Sequence, residues 1–570
     1  MKTIYALFFL VVFSTLPQAQ YKSVFANKIS LNQNMRLSRS LSINRIIRYS
    51  DSAANQSNIA SHVTNSSYLT DTIKYNKYVD KINRYHGPVV SPNRAASLST
   101  INNSLTDTLN KTSSPDTINT SLTDTMKYNM YGDLLNDDPL YNERSSLGMV
   151  ALRVTFANVS TLLIDRYIFN YDYSRVGFNS WRHNIKTGWE WDNDRFAMNN
   201  FFHPFSGGMF FNGARANGYS YFESIPFAAL GSLEWEYFGE TTLPSYNDFI
   251  NTPINGAFLG EIFYRLGSNI LDDQTTGWNR FIREFAVAVM TPTRFFSRLL
   301  QGKLTRLTTE EVYQKEPLNI TMQAGYHRGN EGTNFNKGTT SSLNMNLNLD
   351  YGNPFEKRSR KPYDYYKVRA DIDFGVGRKM IDNVIGYGIL TGKNLQVGNV
   401  EILGGLFQHM NFFDNNTFEL ATIAFGPGIV SKIPITKTTS LYTDLHVSAV
   451  PFGSLSGRFI TDTSEFRDYN YGGGAQLELE STFNIGGWVG ITFAGYYWWF
   501  HTFVGTAGNS YIGVVKPRIA FKLFKGVSIG FEQLIYYADR YPSNSASVHD
   551  VRTEQKVFFQ IFIEEFKFKK

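Results

Sequence analysis

Leu343-Asn-Met-Asn-Leu-Asn-Leu-Asp-Tyr351 alternates apolar and polar side chains without a break, so one set stands on each face of an extended strand. The same phase recurs downstream. Val368, Ala370, Ile372, Phe374 and Val376 alternate with Lys367, Arg369, Asp371 and Asp373. Ala475-Gln-Leu-Glu-Leu-Glu480 and Pro517-Arg-Ile-Ala-Phe-Lys-Leu523 repeat it, and Val557, Phe559, Ile561 and Ile563 keep it near the C-terminus. Such segments run to ten residues or more, beyond the roughly five to six of an average soluble strand. That is the length a tilted strand needs to cross a hydrocarbon layer. Turn-forming stretches separate them: Gly352-Asn-Pro354, Asp414-Asn-Asn416 and Tyr541-Pro-Ser-Asn544. Aromatics crowd the segment ends (Tyr496 to Phe500, Tyr536 and Tyr537), as interfacial girdles do. The pattern predicts an outer-membrane antiparallel β-barrel of about twelve strands between Leu318 and Phe568. Its polar face would line the lumen with both signs of charge, Lys367, Arg369, Lys516, Arg518 and Lys522 against Asp371, Asp373, Asp444, Glu478, Glu480 and Glu532. Mixed charge predicts an ion-paired interior, not a strongly ion-selective pore. Gly472-Gly-Gly474 lacks the Lys-Ser/Thr of a phosphate loop and reads as a kink in a strand.

Upstream the chain changes character. Met1-Lys2 followed by the apolar run Ile4–Phe13 and then Ser14 to Ala19 has the layout of a secretory signal. The run is too short for a spanning helix; cleavage after Ala19 or after Ala26 fits. Beyond the signal no run of 18 uncharged apolar residues occurs, which argues against helical spanning. From about residue 31 to 129 large apolar side chains are scarce, and 15 of the 25 residues in 101–125 are Ser, Thr or Asn. Such a segment buries too little to offset its ordering entropy and reads as a disordered arm. It repeats itself: Leu69-Thr-Asp-Thr-Ile-Lys-Tyr-Asn recurs as Leu122-Thr-Asp-Thr-Met-Lys-Tyr-Asn, with Leu105-Thr-Asp-Thr108 a partial copy. The arm either presents a docking motif to an envelope partner or is duplicated linker. The absence of cysteine excludes disulfides, thiolate metal sites and cysteine nucleophiles. A formal charge of +6 spread over 570 residues gives nucleic acid no footing.

Between arm and barrel, helical spacing takes over. Leu152, Phe156, Val159, Leu162, Leu163 and Tyr167 predict an amphipathic helix. Asn247 to Leu271 predicts a second, with Ser245 as its N-cap and with Gly256 and Gly260 placed for close approach of another backbone. Thr276–Val289 predicts a third, and Thr293–Leu300 a short fourth closed by Gly302. Gly188-Trp-Glu-Trp-Asp-Asn-Asp194 alternates and reads as an extra strand. The whole divides into a signal peptide (1–19), an arm (20–130), a helical module (131–307) and a barrel (308–570), with the module expected in or under the lumen.

The stretch WEWDND, HPFSGG, ARANGYS, GSLEWEYFGE and PSYNDFINTPINGAFLGEIFYRL, in that order and flanked by Tyr131-Gly-Asp-Leu-Leu-Asn-Asp-Asp-Pro139, Ala151-Leu-Arg-Val and Asn269-Ile-Leu-Asp-Asp273, resembles the exported family called domain of unknown function 3943 over about 131–307. The resemblance implies association with the outer membrane and carries no catalytic residues. On the residues alone, His203, Ser206 and Glu236 are the candidates for catalysis, since His can activate a hydroxyl and a carboxylate can orient the ring. No Gly-x-Ser-x-Gly elbow supports that reading. Arg215, Glu234, Glu240, Asp248 and Glu261 form a polar set for binding a ligand or for pairing charges within the fold. With no His-Glu-x-x-His or related spacing, no metal and no cofactor is expected. The expected function is an outer-membrane protein, lipid its surroundings and its ligand unknown, that binds or passes a ligand gated by the module. Alternatives are a barrel-embedded hydrolase or acyltransferase on envelope lipid or glycan, and a scaffold using the repeated arm.

Overall fold

A computed structural model describes residues 144–566 except 376–378, 416, 457–468 and 544–545. The expected signal peptide, the arm and the Tyr131–Pro139 motif lie outside the described residues. Twelve strands follow one another: β1 (Leu318–Glu331), β2 (Asn334–Tyr351), β3 (Tyr366–Phe374), β4 (Ile381–Val397), β5 (Val400–Asp414), β6 (Glu419–Pro434), β7 (Ser440–Ser456), β8 (Tyr469–Ile485), β9 (Val489–Val504), β10 (Gly508–Phe524), β11 (Val527–Pro542) and β12 (Val548–Ile563). Each pairs antiparallel with the next, and β1 closes on β12 with Ile320 opposite Ile563. Closure removes the unpaired edges an open sheet would leave. The proximal end of the barrel is where β1 begins and β12 finishes.

The alternation read from the sequence sets inside from outside. Leu343, Met345, Phe521, Leu523, Val557 and Phe559 are exposed on the outer wall. Their polar neighbours meet across the lumen, between strands that are not adjacent. Lys367 reaches Asp444 at 2.6 Å, Arg369 reaches Glu480 at 2.9 Å and Lys556 reaches Asp371 at 3.0 Å. His327 sits between Asp373 at 3.0 Å and Glu554 at 2.7 Å. The interior is ion-paired, as expected. The distal half is filled differently, by Phe413, Phe418, Tyr496, Trp498, Phe500 and Tyr536. This corrects the girdle reading: a consecutive aromatic run in a strand must split between faces, so Tyr497, Trp499 and Tyr537 face outward while their neighbours pack the lumen. Register shifts between Val450 and Gly453 and between Tyr471 and Gly472 put the expected kink at the glycine triplet.

Among the described residues seven α-helices precede the barrel: α1 (Leu147–Tyr167), α2 (Phe178–Thr187), α3 (His203–Arg215), α4 (Tyr221–Glu234), α5 (Tyr246–Ile270), α6 (Gly277–Met290) and α7 (Pro292–Leu300). Ser245 caps α5 by accepting from the Asp248 N–H, and Ser220 caps α4 in a box with Glu223. The glycines of α5 do bring another backbone close. A Cβ on Gly256 would stand 2.6 Å from the carbonyl carbon of Gly207, and one on Gly208 would stand 3.2 Å from the Gly260 nitrogen. Helices α3 and α5 therefore touch main chain to main chain. One expectation is corrected. Residues 188–194 form no strand, only a single bridge between Glu190 and Ser245. The apolar stripe of α1 faces out, with Leu152 61% exposed, while Val150, Val154 and Asn158 turn inward. Among the described helices α1 is long and apolar enough to cross a membrane; Arg153, Asp165 and Arg166 had broken the uncharged run in sequence.

The module does not enter the lumen, contrary to expectation. It packs on the outer wall. Tyr221 Oη donates to Gln408 Oε1, and Gln408 Nε2 donates to the Ile254 carbonyl at 3.1 Å. The Phe196 ring stacks on Phe412 at 5.7 Å, and Trp191 packs on Phe452 and Tyr471. Asn200 bonds Ser454, and Arg265 reaches Asp364 at 3.2 Å. Gln408, Met410 and Phe412 alternate with His409, Asn411 and Phe413, which face the lumen. The pleat therefore puts the contact residues outside. The physical reason is space: ion pairs and aromatic rings already occupy the barrel interior. Replacing Gly256 with Leu should separate α3 from α5 at a cost of about 3 kcal/mol or more. Limited proteolysis should then cut the module while the barrel keeps its heat-modifiable migration on gels.

Candidate functional site

The module concentrates unusual backbone around three titratable side chains. A π-helical turn, Met198–Phe202, runs directly into His203 at the start of α3. A second, Trp235–Gly239, follows α4 and carries Glu236. Such turns are rare and recur at functional sites. Asp248 stands in the first turn of α5. One ligand-capable atom each from His203, Glu236 and Asp248 lies within 4.8 Å of the others. Glu236 and Asp248 are 1% and 2% exposed. Glu236 Oε2 accepts the Ser245 N–H at 2.7 Å, which ties the π-turn to the cap of α5.

A polar shell surrounds the three. Asp192 accepts from Asn199 and, at 2.8 Å, from Asn247, whose side-chain oxygen takes the Asp192 N–H at 3.1 Å. Asn199 also donates to Tyr469 Oη at 2.8 Å, and that hydroxyl donates to the Asp194 carbonyl at 2.7 Å. The barrel wall thereby reaches the shell through β8.

The structure sorts the expected residues into two groups. His203, Glu236 and Asp248 come together, with Glu240 close enough for its charge to oppose that of Glu236. Ser206, one turn along α3 from His203, makes no hydrogen bond to it, so the geometry assembles no Ser–His pair. Arg215 and Glu261 belong elsewhere: Arg215 at 2.8 Å and Arg265 at 2.9 Å both clamp the Glu261 carboxylate. Glu234 accepts from Thr155 at 2.8 Å and Asn158 at 3.1 Å, fastening α4 to α1. Sequence reasoning missed Asp192, Asn199, Asn247 and Tyr469. The density of Asn and Asp in WEWDND, MNN and YND was the available signal.

Electrostatics separates the two groups as well. Glu261, Asp273 and Glu284 are each held by two arginines. Among the described residues Glu236 and Asp248 form no ion pair with Lys or Arg, and Asp248 Oδ1 has no hydrogen-bond partner. Two dry carboxylates so placed can hold a cation or share protons. A second concave region lies in the proximal lumen, a polar cavity of about 680 Å³ lined by Lys367, Arg369, Asp444, Glu480, Arg518 and Lys522. Exchanging Glu261 for Gln should weaken the hold on two buried guanidinium groups and cost about 3–5 kcal/mol. Asp248→Asn should leave stability unchanged or raised, by relief of uncompensated charge. Thermal melts of the two variants check the contrast.

No curated protein matches the chain. Among solved structures it is similar to the outer membrane channel DcaP of Acinetobacter baumannii (8% identity over 43% of this chain and 96% of that one, TM-score 0.20). It is also similar to the transport unit of the autotransporter AIDA-I from Escherichia coli (10% identity, 47% and 96% covered, TM-score 0.20). A third is OmpT, an outer membrane protein of Vibrio cholerae (8% identity, 43% and 97% covered, TM-score 0.16). Residues 188–293, which contain the whole of the His203, Glu236 and Asp248 cluster, match the family model described as domain of unknown function (DUF3943), the family that their motifs resemble.

Proposed function

We propose that the protein is an outer-membrane protein whose barrel supports a membrane-embedded helical module, and that the module binds an envelope ligand at the His203, Glu236 and Asp248 cluster. The observation that carries this reading is the docking of the module on the outer wall. A barrel with polar groups inside and Leu, Phe, Tyr and Trp outside is built for lipid. A module packed on that wall shares its surroundings, and α1 presents Leu152, Val159 and Leu163 away from the protein. At 1.5 Å per residue α1 is about 31 Å long, the thickness of a hydrocarbon core. Polar groups at that depth are costly and are kept for function. Of the two branches expected from sequence, binding fits better than passage, because the module does not stand in the lumen as a gate. A chain exported by its N-terminal signal, with the repeated arm offered to an envelope partner, completes the reading.

The absence of cysteine makes the test direct. Nitroxides on Leu152→Cys, Val159→Cys and Leu163→Cys, in protein refolded into bilayers, should collide more with oxygen than with a polar nickel chelate. Labels on Val150→Cys and Val154→Cys should meet neither. Equal access to the chelate along the exposed face would place the module in water and overturn the proposal.

The proximal cavity favours a second role, retention of a small polar solute in the lumen. The aromatic filling beyond it predicts no stepwise conductance from the intact protein in planar bilayers. Trp498→Ala combined with Phe500→Ala should introduce steps. Large conductance from the intact protein would show the lumen to be open.

A further inference from the structure

The treatment of buried charge in the module is uneven, and the exception has the geometry of a metal shell. Three buried carboxylates of the module, Glu261, Asp273 and Glu284, are each neutralised by a pair of arginines. Glu236 and Asp248 are as deeply buried and, among the described residues, take no cationic side chain. Between them stands His203, partly accessible, with no hydrogen-bond partner on its ring among the described residues. Asp248 Oδ1 is likewise unpartnered inside the cluster. Nitrogen from one imidazole and oxygen from two carboxylates is a donor set for divalent ions of the zinc and manganese type.

We propose that His203, Glu236 and Asp248 bind one such divalent ion, with the remaining coordination positions open to an oxygen of the envelope ligand. The present separations, all within 4.8 Å, are compatible. Ligands about 2.1 Å from a tetrahedral ion stand about 3.4 Å apart, so each side chain closes by less than about 1 Å. The outer shell suits the role. The Ser245 N–H fixes the second oxygen of Glu236, and the Asp192–Asn199–Asn247 network braces the segments that carry the ligands. Three protein ligands with open positions is the arrangement of a working metal site, whereas structural sites are closed by four. Spacing motifs could not show it, since the three ligands come from three separate elements.

The inference deepens the binding reading above by naming what the ligand would meet, and its test stands apart from it. The full chain, folded in detergent, is stripped with a chelator, loaded with zinc or manganese alone and desalted, and bound metal is measured by mass spectrometry. One equivalent per chain is expected. His203→Ala, Asp248→Asn and Glu236→Gln should each weaken binding at least about tenfold, as loss of a ligand does, whereas His549→Ala on the exposed surface should not. Heat-modifiable gel migration reports barrel closure in each variant. Where a variant fails to fold, cobalt loading of the wild-type protein decides: visible bands of four- or five-coordinate cobalt support the site. Absence of stoichiometric metal, absence of those bands, or binding unchanged in all three folded variants would overturn it. Metal binding without lipid exposure of α1 would sink the membrane-embedded reading and leave the metal site standing; lipid exposure without metal would do the reverse.

Discussion

A barrel of twelve strands can be solid or hollow depending on what its inward side chains do, and here they fill it apart from one polar cavity in the proximal half. Lys367, Arg369, Asp371 and Lys556 find their counter-charges across the lumen, and aromatic rings occupy the distal half. Charges facing an apolar surrounding must pair, and the only place to do so is the barrel axis. Everything else follows from that occupancy. A helical module with polar contacts to make cannot enter, so it meets the wall from outside. The wall is adapted to receive it: Gln408, Ser454, Tyr469 and Tyr471 interrupt an outer face that elsewhere carries Leu, Phe and Val.

Within the module the same accounting of charge distinguishes scaffold from site. Pairs of arginines hold Glu261, Asp273 and Glu284. Main-chain contact between α3 and α5 through Gly207, Gly208, Gly256 and Gly260 brings the helix that begins at His203 against the helix that carries Asp248. The two π-turns adjust the approach of His203 and Glu236. The cluster is therefore a product of helix packing and not of any local motif.

This explains what was legible in the sequence. Strand existence, inside from outside, and the ion-paired lumen were readable because alternation is local and the barrel repeats it twelve times. Helices α5, α6 and α7 were readable from Ser245, Pro292 and Gly302. Helices α2, α3 and α4 were not, because glycine, proline and aromatic residues in HPFSGG and YFESIPF blur helical spacing, and the packing that stabilises them is tertiary. The spacing along α1 gave a helix and left its facing open, because an apolar stripe looks the same whether it meets protein or lipid. The placement of the module depended on which strand residues accept a helix. Gln408 reads in sequence like any other polar residue in a strand. Of the cluster, His203, Glu236 and Asp248 were singled out as types, but their convergence rests on contacts between three distant elements.

The hydrogen bond from Asn199 to Tyr469 joins residues 270 positions apart. Asn199 belongs to the first part of the chain to leave the ribosome, and Tyr469 to a strand that takes its place only when the sheet is well advanced. The shell around the three side chains is thus a late product of assembly. A molecule still in transit, its strands unpaired, has the residues but not the enclosure. Closure of the barrel is therefore what completes the enclosure: the sheet, and not the module alone, supplies the last wall around His203, Glu236 and Asp248.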